Sequence, residues 1–169
     1  MSQLAPLNLH AWVEEHRHLL KPPVGNACIW NSNFLVMVVG GPNRRSDYHV
    51  NPGEELYYQV EGDIVLRLLQ HGKPVDVSIK QGEIFLLPPN TPHSPQRPAK
   101  TVGLVIERRR QPHEKDTFLW VCDACGHKLY SESFHLTDIV AQLPPIFARY
   151  WGDPAHTTCK KCGRKHEKH

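Results

Sequence analysis

Two Cys-x-x-Cys pairs, Cys122/Cys125 and Cys159/Cys162, each followed at once by a glycine (Gly126, Gly163), constrain this chain more than any other feature. Two thiolates at that spacing converge on one ion, the glycine lets the backbone turn tightly behind them, and two such knuckles supply the four ligands of a closed tetrahedral site. A closed site offers a substrate no coordination position. Its ion, iron or zinc, is therefore expected to hold the C-terminal segment together, because binding free energy there becomes folding free energy. The rival use of four cysteines is two disulfides, as in small secreted domains. Against it, Met1 to Leu20 has no apolar run of the kind a signal peptide needs, and no stretch approaches the roughly 20 apolar residues of a membrane span. The expectation is a cytoplasmic protein without a membrane partner, in which the isolated Cys28 packs as a small hydrophobe.

Catalysis or ligand binding must then lie upstream. A chain of 169 residues suffices for one substantial domain and a small appendage, divided here into 1–115 and 116–169. Fifteen prolines and eleven glycines against 40% hydrophobic residues predict many short elements joined by turns, hence an all-β body. The net charge of +3 is modest, although basic residues crowd the end of the chain (Lys160, Lys161, Arg164, Lys165, Lys168). A zinc ribbon gripping nucleic acid would use such a tail. The knuckles Cys122-Asp-Ala-Cys125 and Cys159-Lys-Lys-Cys162 lack the aromatics on which bases stack, so no nucleic-acid partner is expected.

Asn8 can cap a helix whose apolar positions Leu9, Trp12, Val13, Leu19 and Leu20 keep helical spacing until Pro22-Pro23. Short β-branched or aromatic runs follow at 34–39, 56–60, 64–69, 75–79, 84–87 and 102–106. Glycine-bearing turns separate them, which predicts a small jelly-roll sandwich or barrel. A second helix is expected from Thr137 or Asp138 to Pro144-Pro145.

Within the β body, His49, Glu55 and His93 form a second possible ligand set. Two imidazoles and a carboxylate on one face of a divalent ion leave the other face open, which suits non-haem Fe(II) activating oxygen. The bare spacing is weak support, since most such histidines and glutamates are surface or satisfied core residues. The surrounding residues say more. Gly41 with His49-Val50-Asn51-Pro52-Gly53-Glu54-Glu55 and Gly62 resembles the first cupin motif, and Gly82, Pro88 and His93 resemble the second. Asn51 stands where cupins usually carry another histidine, and Arg97 where they usually carry asparagine. Those departures, with the runs Lys21 to Asn26, Val38 to Asn43, Asp47 to His49 and Phe85 to Arg97, resemble the 3-hydroxyanthranilate 3,4-dioxygenase family. The likeness extends over nearly the whole chain, including a C-terminal rubredoxin-like knot.

That resemblance implies a cupin jelly-roll barrel with a few helices and a small appendage built on the four-cysteine metal site. It implies Fe(II) held by His49, Glu55 and His93, opening the ring of a substrate that carries adjacent hydroxyl and amino groups, with O2 as co-substrate. Arg97 is placed to receive the substrate carboxylate through a planar fork of donors. Arg45 is the second cation, facing either that carboxylate or oxygen. Glu107 matches the family's substrate-contacting glutamate, able either to fix Arg97 or to accept a hydrogen bond from the substrate. Asn26 is expected to contact the substrate and Asp47 to orient the ligands around the metal. A homodimer is the family expectation. The competing functions are a cupin that binds a small acid without turning it over, or one that isomerises it at a different metal.

Overall fold

Asn8 begins helix α1 (Leu9–His16) in the way its side chain allows, accepting a hydrogen bond from the Ala11 backbone N–H at 3.0 Å. A single 3-10 turn, Arg17–Leu20, extends it. Val13 and Leu20 from this segment are buried with Val38, Val60 and Val102 of the β body. The computed structural model describes residues 5–22 and 25–167. Pro23 of the expected helix stop, Val24 of the Lys21 to Asn26 run, Lys168 of the basic tail and the first four residues lie outside the described residues.

The strands are β1 (Asn26–Asn31), β2 (Phe34–Gly40), β3 (Asp47–Val50), β4 (Glu55–Glu61), β5 (Ile64–Gln70), β6 (Lys73–Ile79), β7 (Ile84–Leu87), β8 (His93–Gln96), β9 (Val102–Arg108), β10 (Asp116–Val121) and β11 (Lys128–Phe134). They form two antiparallel sheets, ordered β1-β2-β9-β4-β7 and β11-β10-β3-β8-β5-β6. Alternation turns Met37, Tyr57 and Val105 of the first sheet toward Ile64, Leu66, Leu68 and Ile79 of the second, and these residues with Leu87 form the barrel core. The jelly-roll expectation holds.

All six runs read from the sequence are strands, each within two residues of its expected ends. The five strands not among those runs are edge strand β1, β3 and β8, whose inward residues include the site histidines, and the β10–β11 hairpin beyond them. Its strand β10 pairs with β3, Phe118 opposite His49 and Trp120 opposite Asp47, so the second sheet continues into the C-terminal segment.

Two expectations need correction. The C-terminal helix α2 (Ile139–Gly152) does not stop at Pro144-Pro145 but runs through both prolines. An interior proline costs a helix about 3 kcal/mol. Here Ile146 and Tyr150 beyond the prolines are buried against Phe118 and Trp120, and such side chains contribute about 1.5–3 kcal/mol each on burial. Tyr150 stacks on Trp120 at 4.2 Å between ring centroids, which adds to the same side of the balance. Tertiary packing therefore carries the helix on. Cys28 is exposed rather than packed, because it sits on edge strand β1 beside a bulge, where its thiol donates to the Trp30 carbonyl at 3.1 Å. A short helix α3 (Pro154–Thr157), capped by Asp153, leads into the second cysteine pair.

Candidate active site

His49 and His93 face each other as a register pair of β3 and β8, while Glu55 enters from β4 on the opposite sheet. One ligand atom from each lies within 4.8 Å of the others, and all three side chains are buried. Their neighbours decide which atoms are available. His49 donates through Nε2 to Asp116 Oδ2 at 2.6 Å, which leaves Nδ1 facing Glu55 Oε1 at 3.6 Å. His93 uses Nδ1 on the Thr91 carbonyl at 2.9 Å, which leaves Nε2 facing Glu55 Oε2 at 3.4 Å. With metal–ligand bonds of about 2.0–2.2 Å, ligands at right angles stand about 3 Å apart, so these separations fit one ion between them. The donor set suits a divalent metal with open positions.

The electrostatics agree. Burial alone would raise the Glu55 carboxyl, but His93, His49 and the Tyr57 hydroxyl, which donates to it at 2.7 Å, hold it well below the usual carboxylate range. Burial keeps His49 below its ordinary value, the neutral form that ligation requires. Burial pulls the same way on His93, yet the Glu55 carboxylate outweighs it and raises that imidazole.

Behind His49 lies an ion-pair chain that sequence reasoning missed. Arg110 grips Asp116 with two nitrogens, Nε at 2.7 Å from Oδ1, and reaches Glu107 Oε1 with Nη1 at 3.0 Å. Asn51 closes the circuit by donating through Nδ2 to Glu55 Oε1 at 2.9 Å and to Glu107 Oε2 at 2.6 Å. The charged run 107–110 therefore sends two members inward, Glu107 and Arg110, where one was expected. Burial, with the Glu55 charge adding to it, pushes Glu107 up to about 7 despite Arg110. Asp116 fixes the His49 ring and its tautomer. Asp116→Asn should weaken binding of the catalytic metal about 10- to 100-fold, measured by chelator competition, and leave the cysteine site loaded.

Arg97 has a different surrounding. It is 2% exposed, Nη1 donates to Gln59 Oε1 at 3.3 Å, and Nε has no hydrogen-bond partner among the described residues. Burial without a carboxylate lowers this guanidinium to about 10. Arg45 is paired instead with Asp47 and lies over the Phe118 ring, 5.6 Å from its centroid. Asn26, Arg45, Asp47 and Arg97 line one cavity of about 1530 Å3 that extends to Cys122 and Cys125. His49, Glu55 and His93 are not among its lining residues.

The knot is built from two matching turns. Gly126 N–H donates to Cys122 O and Gly163 N–H to Cys159 O, each at 2.8 Å, and both glycines adopt positive φ (68° and 75°) that other residues rarely take. The sulfurs of Cys122 and Cys162 lie 3.6 Å apart, as do those of Cys125 and Cys159. A tetrahedron with bonds of about 2.3 Å has edges of about 3.8 Å, so four thiolates around one ion fit, and the disulfide alternative does not arise.

The family model described as 3-hydroxyanthranilic acid dioxygenase matches residues 1–151. The chain belongs to the 3-hydroxyanthranilic acid dioxygenase family. Among curated members of the family, the 3-hydroxyanthranilate 3,4-dioxygenase of Xanthomonas euvesicatoria pv. vesicatoria is 53% identical over 96% of this chain and 93% of its own length. Those of Shewanella woodyi and Ruegeria pomeroyi are 48% and 46% identical over 98% of this chain, covering 89% and 93% of their own lengths. Among solved structures, protein NMB1881 from Neisseria meningitidis superposes with a TM-score of 0.51 at 18% identity, over 62% of this chain and 99% of that one, a likeness of fold alone. The stretch matched to the family model contains the His–Glu–His set, Arg45, Arg97, the Arg110–Asp116 pair and the first cysteine pair, and ends before Cys159.

Proposed function

We propose that this chain opens the ring of 3-hydroxyanthranilate with O2 to give 2-amino-3-carboxymuconate semialdehyde, which cyclises spontaneously to quinolinate. Family membership supports the activity, and one observation supports the substrate class: the buried Arg97 guanidinium has no hydrogen-bond partner at Nε and no carboxylate partner among the described residues. A buried charge without a counterion is unfavourable, and a substrate carboxylate supplies what is missing. His49, Glu55 and His93 would hold Fe(II), which would supply the Lewis-acidic centre that ring opening by O2 requires.

The residues around it have separate tasks. Arg97 receives the carboxylate through the Nε edge of its fork and so sets the ring's orientation. Glu107, raised to about 7 by burial and the Glu55 charge, takes the proton from the substrate hydroxyl on a carboxylate oxygen of its ionised form. Arg45 adds a second positive charge at the cavity wall, with Asp47 holding it in place, and Asn26 contributes a polar contact on that wall. Both oxygen atoms enter the product, so no external reductant is consumed. The cysteine knot, with iron or zinc, is structural; residues 1–115 bear the catalytic ligands, and residues 116–169 carry the knot and, through β10, the Asp116 and Phe118 that hold and cover His49.

Two copies associating is the family-based reading, supported by exposed Trp30, Phe34, Ile84 and Leu86 on the outer side of the first sheet. A cytoplasmic location fits four thiols kept reduced. Among the described residues, no helix is long and apolar enough to cross a membrane.

Protein reconstituted with Fe(II) without oxygen should consume O2 on mixing with 3-hydroxyanthranilate and raise the ultraviolet band of the semialdehyde. No uptake with fully loaded iron would leave a small-acid binding module. Arg97→Ala should raise KM about 30-fold or more, the scale of a lost buried charge pair, with a smaller change in kcat.

A further inference from the structure

We infer that Gln59 and Gly103 form a socket that fixes the position of the Arg97 guanidinium, and through it the distance between the metal ligands and the carboxylate of an aromatic acid. The inference rests on the reading that Arg97 receives that carboxylate.

Gly103 lies inside β9, hydrogen-bonded on one side to β2, opposite Val39, and on the other to β4, opposite Gln59. A glycine in the interior of a central strand weakens it and commonly marks the close approach of another group. Its backbone lies outside the left-handed region, so conformation does not require glycine here. Space does. A Cβ on residue 103 would stand 2.7 Å from Gln59 Oε1, 2.8 Å from Arg97 Nη1 and 3.2 Å from Arg97 Nη2. The guanidinium therefore rests against bare backbone.

Gln59 provides the second wall. It is buried, and its Nε2 donates to the Glu61 carbonyl at 2.9 Å, an interaction that assigns the amide orientation and turns Oε1 toward Arg97. Arg97 is anchored from behind as well, because its backbone N–H donates to Asn43 Oδ1 at 3.0 Å and its carbonyl accepts from the Asn43 N–H at 2.9 Å. Gln59 occupies Nη1, while Nε has no hydrogen-bond partner among the described residues. A neutral amide holds the guanidinium without cancelling its charge. A carboxylate at position 59 would hold it as firmly and cancel the charge.

The chemistry predicts a selectivity. Calorimetric titration of the iron-loaded, oxygen-free full chain should compare 3-hydroxyanthranilate with 2-aminophenol, which keeps the adjacent hydroxyl and amine and lacks the carboxylate. Gln59→Glu should weaken 3-hydroxyanthranilate about tenfold or more while 2-aminophenol changes by less than about twofold. Its melting temperature should hold or rise, since Arg97 gains a counterion. Gly103→Ala should act in the same direction by displacing the guanidinium. Equal weakening of both ligands, or loss of melting temperature without selective loss of affinity, would overturn the socket. Arg97→Ala separates the two levels. If it leaves 3-hydroxyanthranilate affinity intact, the carboxylate reading falls and the socket with it; if it responds and neither socket variant does, the socket alone falls.

Discussion

His49→Ala and His93→Ala should each empty the catalytic metal site and leave the cysteine knot loaded. Metal analysis should drop from about two ions per chain to about one, and ring cleavage should fall roughly a thousandfold or more, because the remaining residues offer no substitute for a Lewis-acidic centre. The expectation follows from the geometry. Each imidazole has one nitrogen already engaged, His49 Nε2 on Asp116 and His93 Nδ1 on the Thr91 carbonyl, so each has one nitrogen left to give. Removing either leaves Glu55 and a single imidazole. The far-ultraviolet spectrum should change little, since β3 and β8 stay within a sheet whose other strands are intact. Retention of the second ion at full occupancy would show that the metal is held elsewhere.

Cys125→Ser and Cys162→Ser should act in the opposite sense. Four thiolates bind a structural ion with an apparent free energy of about 10–16 kcal/mol in small peptides, most of which appears as folding free energy. Folded yield and melting temperature should drop sharply, while turnover per catalytic ion in the protein that does fold stays within about twofold. The knot ties the end of β10, at Val121, to the segment after α3, and the buried pair Trp120 and Tyr150 lies beneath that tie. Losing the ion loosens the clip over the aromatic cluster. Abolished turnover at unchanged melting temperature would instead assign the knot a part in the reaction.

What could be read from the chain beforehand divides by the range of the interactions involved. The knuckles are legible because each pair of ligands lies within one turn, and the six apolar strands because alternation is local. His49, Glu55 and His93 became legible only through the motif residues around them. The partners that give them their chemistry left no local trace. Asp116 meets His49 across 67 positions, Asn51 meets Glu107 across 56, and Gln59 meets Arg97 across 38. Arg110 was hidden for a related reason: in a run of charges nothing marks the one that turns inward until Asp116 is in place to receive it. The helix through Pro144 and Pro145 shows the same limit, since the aromatic face that sustains it is formed by residues of another strand pair.

The path of β10 has a consequence for anyone wishing to shorten or exchange the tail. One strand presents Asp116 to the outer nitrogen of His49, lays Phe118 on the flat of that ring at 4.7 Å between centroids, and two residues after Trp120 becomes the first knuckle. Cutting the chain back to its first 115 residues would strip a metal ligand of its anchor and its cover in a single operation. A grafted replacement must therefore bring a matching carboxylate and aromatic ring, in register, before it can serve as a mere clasp.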